Sequence, residues 1–139
     1  MVREITMDTD VLQRGSTMVN PTSKSTVRLV RDLIDTAQEH KDRCVGLAAI
    51  QIKETARVFV AFDGENFVPY INPVIVQKFG EKYETEEGCM SLKGTRKVVR
   101  YNGVEIMHQK GNRYVKEKHT GYYAEILQHE MDHLNGKLI

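Results

Sequence analysis

The residues His129-Glu130-Met131-Asp132-His133 place two imidazoles four positions apart, with a carboxylate directly after the first. On a helix, side chains four apart lie one turn above each other, so both rings can reach one metal ion while Glu130 sits beside a water bound there. The chemistry that such a set performs is hydrolysis: the ion acidifies the water and the carboxylate moves its proton. Two histidines leave a site of this kind one protein ligand short. No acid or histidine follows His133, which stands six residues before Ile139, so the third ligand is expected upstream. Cys89, in Glu86-Glu87-Gly88-Cys89-Met90-Ser91-Leu92, is the strongest candidate, because a thiolate is a good ligand for a borderline metal and a glycine beside it permits close backbone approach. His40, His108 and His119 have no such partners and read as surface histidines.

These residues need elements to position them. Gly121 follows Thr120, and Tyr123, Leu127, Met131 and Leu134 then recur at helical spacing until Gly136, which predicts a C-terminal amphipathic helix carrying the histidines. After Asn20-Pro21, the residues Thr22, Ser23 and Ser25 all offer N-caps, and Val27, Val30, Leu33, Ile34 and Ala37 predict an N-terminal amphipathic helix to about His40. Between them lie β-rich runs at 57–62, 67–71, 74–79, 97–101, 104–109 and 113–118, with turn chemistry at Asp63-Gly64, Asn102-Gly103 and Lys110-Gly111-Asn112. Pro69 and Pro73 are expected to put their strands at an edge or to break them. The order helix, strands, helix gives an α+β class, with antiparallel sheets packed around the C-terminal helix and one N-terminal amphipathic helix.

A chain of 139 residues fits one domain, residues 1–139, and buries enough surface to fold without disulfides or a structural metal. Twenty Lys+Arg against 19 Asp+Glu give no reason to propose DNA or an anionic membrane as the main partner. The balance hides a segment, residues 93–118, with eight basic and two acidic side chains, which reads as solvated lysine-rich strands. Two cysteines, a charged N-terminal segment and no long apolar run point to a cytoplasmic protein without a membrane span.

Three segments, VGLAAIQ at 45–51, EGCMS at 87–91 and QHEMDHLNGKL at 128–138, resemble in order and spacing the signature motifs of the peptide deformylases, and the resemblance extends over about residues 5–139. It implies a hydrolase of protein biosynthesis that removes the N-formyl group from the formylmethionine of nascent polypeptides, releasing formate, as part of N-terminal methionine processing. It implies Cys89, His129 and His133 as metal ligands and Glu130 as the catalytic acid/base. Gln51 and the backbone N–H of Met90 match the groups that stabilise the oxyanion. Val45, Gly46 and Gly88 match backbone that pairs with the substrate peptide as an added strand, and Arg96 and Glu125 fall beside the methionine pocket. The implied ion is Fe2+, replaceable by Ni2+, Co2+ or Zn2+; the implied partners are N-formylmethionyl peptides or nascent chains, with transient ribosome association. Cys44, Lys93, Thr9 and Glu125 depart from residues common in the family. The alternatives are a weak or inactive paralogue and a metallo-amidase acting on another N-acyl peptide.

Overall fold

The run Val58-Phe59-Val60-Ala61-Phe62 shows how the molecule is layered. In the computed structural model, which describes residues 1–139, these five residues form a strand whose side chains alternate between two buried faces. Val58 and Val60 join a cluster with Leu29, Leu33 and Ala37, while Phe59 and Ala61 join one with Leu127, Met131 and Leu134. A strand covered on both faces reads as continuous apolar sequence, and helices cover each side.

The elements in chain order are α1 (Thr9–Leu12), α2 (Lys24–Glu39), β1 (Gly46–Ala48), a 3-10 turn (Ala49–Ile52), β2 (Val58–Phe62), β3 (Phe67–Cys89), β4 (Leu92–Lys110), β5 (Arg113–Thr120) and α3 (Gly121–Leu134). The five strands pair in sequence order, every neighbour antiparallel, in one sheet. The α+β class is therefore as expected, with α2 as the N-terminal amphipathic helix and the four-residue α1 ahead of it. Of the three possible caps of α2, Ser23 is used: its Oγ accepts from the Thr26 amide at 3.2 Å, a bond worth about 1 kcal/mol. The buried face of α2 is Thr26, Leu29, Leu33, Thr36 and Ala37; Val27, read as part of that face, is exposed.

Several strand expectations are corrected. The runs 67–71 and 74–79 are one strand, and β3 lies between β2 and β4 despite its two prolines. Pro69 pairs with Val60, but β4 joins β3 only from Ile71 onward, so no β4 partner faces Pro69. Pro73 sits in the register shift between Ile71 and Val74, where the ladder is already interrupted. Asn102-Gly103 is no turn but part of β4, which joins the runs 97–101 and 104–109. Gly103 serves close packing instead: a Cβ there would lie 2.3 Å from Cε2 of Phe79, the residue it pairs with. Asp63-Gly64 and Gly111-Asn112 do form the expected connections, the latter joining the paired residues Lys110 and Arg113.

His108 is not on the surface. It is fully buried on β4 against Tyr70, with its Nε2 3.1 Å from Glu117 Oε1 and its Nδ1 without a partner. Burial lowers its pKa below the ordinary 6.5, more than Glu117 raises it. A histidine kept neutral in the folded state takes up a proton more readily when unfolded, so its stabilising contribution is present above pH 6.5 and is lost as the pH falls. The lowered pKa of Glu117 acts in a more acidic window, below its ordinary 4.5. The melting temperature is expected to fall between about pH 7 and pH 5 less steeply in His108→Gln than in the wild type; parallel slopes would contradict this assignment.

Candidate active site

Helix α3 divides its residues between two jobs. Leu127, Met131 and Leu134 pack into the core beneath the sheet. Tyr122, Glu125, Ile126, His129 and Glu130 line an open cleft of about 170 Å³. The opposite walls come from Cys44, Val45 and Gly46, leading into β1, and from Glu86 to Met90 at the end of β3. The fold thus brings Val45, Gly46, Gly88, Cys89, Met90, Glu125, His129 and Glu130 to one cleft.

Gln51 and His133 are buried behind it. The Ala48 amide donates to Gln51 Oε1 at 3.0 Å, and Gln51 Nε2 donates to Ser91 Oγ at 3.1 Å, so this amide is clamped across the base of the site. Arg96 does not line the cleft; its Nη2 donates to the Lys93 carbonyl at 3.1 Å.

One ligand atom each of Cys89, His129 and His133 lie within 4.8 Å of one another, and the two Nε2 atoms face each other at 3.1 Å. Two imidazole nitrogens and a thiol form a donor set suited to a borderline divalent ion. The other nitrogen of His129, Nδ1, is held 2.7 Å from Glu87 Oε1, which fixes the ring and leaves Nε2 to face His133. Arg100 grips both oxygens of Glu87, at 2.7 and 3.0 Å, and donates its other Nη to Asp132 Oδ2 at 2.6 Å.

Sequence reasoning missed Glu87, Arg100, Asp132 and Ser91. Arg100 belongs to the basic segment expected to be solvated, yet it is only 4% exposed. A signal existed in the acidic pair ahead of Gly88-Cys89, but nothing local shows which of Glu86 and Glu87 turns inward or that Arg100 meets it across the β3–β4 pairing.

Electrostatics follow from this packing. Burial opposes ionisation of Glu87, but His129 and Arg100 outweigh it and hold the carboxyl at about 2. Burial likewise opposes protonation of His129, and Cys89 and Glu87 overcome it, pushing the imidazole up to about 10. His133, buried and next to a cationic His129, is pushed down to about 3. Glu130 is 3% exposed, its Oε1 has no partner, and burial raises it to about 7. A Cβ on Gly46 would lie 2.5 Å from Glu130 Oε2, so only glycine leaves room for this carboxyl. The Cys44 thiol is no exposed oxidisable group: it is buried, donates to the Gly46 carbonyl at 3.3 Å and is raised to about 12 by burial and Glu130.

This arrangement, a cleft with a metal-binding triad and an unpartnered carboxyl, was compared with known proteins. The family model described as Polypeptide deformylase matches residues 2–139. The chain belongs to the polypeptide deformylase family. A peptide deformylase of Clostridium beijerinckii is 42% identical over 131 residues, covering 94% of this chain and 95% of that protein. The crystal structure of peptide deformylase from Thermotoga maritima superposes with a TM-score of 0.91 at 32% identity, covering 99% of this chain and 95% of that one. A class I type b peptide deformylase from Acinetobacter baumannii with Met-Ala-Ser bound has a TM-score of 0.91 at 28% identity, covering 99% and 97%. As a deformylase, this chain is a metalloenzyme of protein biosynthesis that hydrolyses the N-formyl amide of nascent peptides. No helix in it is long and apolar enough to cross a membrane.

Proposed function

We propose that Cys89, His129 and His133 hold one divalent ion, ferrous iron in the native enzyme and nickel, cobalt or zinc as substitutes, and that Glu130 is the acid/base of deformylation. The convergence of the three donors beside a buried carboxyl with an unpartnered oxygen carries this reading. The bound ion would acidify water and polarise the formyl carbonyl. Glu130 takes a proton from the attacking water and returns it to the departing peptide amine. Gln51, held by Ala48 and Ser91, and the Met90 N–H would stabilise the charge that develops on the formyl oxygen, each such donor contributing about 3 kcal/mol. β1 is the edge strand of the sheet, so its outer backbone beside Val45 and Gly46 is open to an added peptide strand, with Gly88 across the cleft. Arg96, which the resemblance puts beside the methionine pocket, lies outside the cleft wall and is given no role in this reading.

The enzyme works in the cytoplasm, a placement supported by its bacterial relatives, and meets nascent chains through transient ribosome association. Elemental analysis of protein purified without oxygen, paired with formate release from formyl-Met-Ala-Ser, tests the metal assignment. About one iron per chain with full activity is expected; an iron-free preparation of equal specific activity holding zinc would overturn it.

A further inference from the structure

Glu125 is a charged group of the cleft wall that the proposed reaction does not use. It stands one helical turn before His129, and the Tyr83 hydroxyl donates to its Oε1 at 2.8 Å. Its neighbour Glu87 is clamped by Arg100 and His129, and burial and then Glu87 raise the Glu125 carboxyl above its ordinary 4.5. The rest of the adjoining wall is apolar: Val45, Tyr122 and Ile126. Four carboxyls, those of Glu86, Glu87, Glu125 and Glu130, line the cleft against the single arginine Arg43. Any side chain that enters beside Glu125 is therefore favoured if it brings a cation or a hydrogen-bond donor.

The geometry also says which substrate side chain that is. Residues four apart on a helix have Cβ atoms about 5–6 Å apart. A side chain of four heavy atoms, starting from the residue whose formyl group lies at His129 and Glu130, reaches about 5 Å. A side chain of that length is long enough to span the gap from the His129 end of the cleft to Glu125.

Resting on the deformylase reading of this site, we propose that Glu125 sets selectivity for the formylated residue itself, admitting N-formyl peptides whose first side chain ends in a cation or donor alongside methionine. Removing the charge withdraws that acceptance and leaves an apolar-selective cleft.

The test compares kcat/KM for formyl-Lys-Ala-Ser and formyl-norleucyl-Ala-Ser, which differ by the terminal ammonium, with formyl-Met-Ala-Ser as the reference. In Glu125→Gln the lysine-to-norleucine ratio of kcat/KM is expected to fall at least about tenfold relative to wild type. Glu125→Ile should show the same fall, and Tyr83→Phe, which keeps the carboxyl, should preserve the ratio. A ratio unchanged in both Glu125 variants would overturn the proposal. Should Glu125→Gln not fold, Glu125→Ile and competitive binding of Lys-Ala-Ser against norleucyl-Ala-Ser to the wild type decide it, and equal affinities count against it. Absence of turnover of formyl-Met-Ala-Ser by wild type would reject the underlying reading instead, so the two failures are distinguishable.

Discussion

Glu130→Gln is expected to lower kcat for formyl-Met-Ala-Ser by about a thousandfold, with KM and metal content nearly unchanged. The variant keeps the shape that Gly46 accommodates but removes the carboxyl proposed to carry a proton between water and the leaving amine. Because the interaction it loses is made in the transition state, the loss falls on kcat. No loss of stability should accompany it. Glu130 is buried, and its Oε1 makes no hydrogen bond to another protein group, so Glu130→Gln breaks no protein contact at that atom. A melting temperature equal to or above that of wild type, together with the collapse in kcat, would place Glu130 in catalysis; a parallel loss of fold and activity would make it a structural residue.

The second large effect is expected at a residue that acts through His129. Glu87→Ala removes the carboxylate that orients His129 through Nδ1 and that pairs with Arg100. Loss of a ligand's orienting partner typically weakens metal binding by about 10- to 100-fold. Leaving a buried arginine short of its partner costs about 3 kcal/mol, at the low end for a broken buried pair because Asp132 still accepts from Arg100. A double variant separates the two consequences. Replacing Glu87 and Arg100 together by methionine removes both charges, and apolar replacement of a buried pair is close to neutral for stability. Asp132 loses Arg100 in this variant, so the double variant should melt between Glu87→Ala and wild type while still binding metal weakly. If metal affinity returned with stability, Glu87 would act only by supporting the fold. Chelator competition and thermal melts on the three proteins measure both quantities.

These two residues mark the boundary of what was readable before the structure. Glu130 was legible because catalysis and helical geometry impose the same local spacing on His129, Glu130 and His133, and the amphipathic pattern of Leu127, Met131 and Leu134 says which way that helix faces. Cys89 was legible by its type and neighbours. Glu87 was not, because its importance depends on pairing with Arg100 and contact with His129, which lie 13 and 42 residues away and leave no periodic trace. The same limit governs the fold. Strand existence came through in the β-branched runs, and β2, with Val58 and Val60 toward one helix and Phe59 and Ala61 toward the other, follows from its apolar content. The fusion of shorter runs into the long β3 and β4 did not, because Asn102-Gly103 carries turn chemistry locally yet is held in the ladder by packing against Phe79. Tertiary contact overrode local preference there and at Pro73, and it drew His108 inside against Tyr70.

The proposed centre of deformylation is one ion held by Cys89, His129 and His133, with Glu130 beside it. The most direct measurement strips the wild-type protein with a chelator, then titrates ferrous iron or nickel back without oxygen while formate release from formyl-Met-Ala-Ser is followed. Activity absent from the stripped protein and restored in proportion to added ion, saturating at one per chain, is the predicted result. Full activity in the metal-free protein, or metal bound at the triad with no formate released, would contradict it.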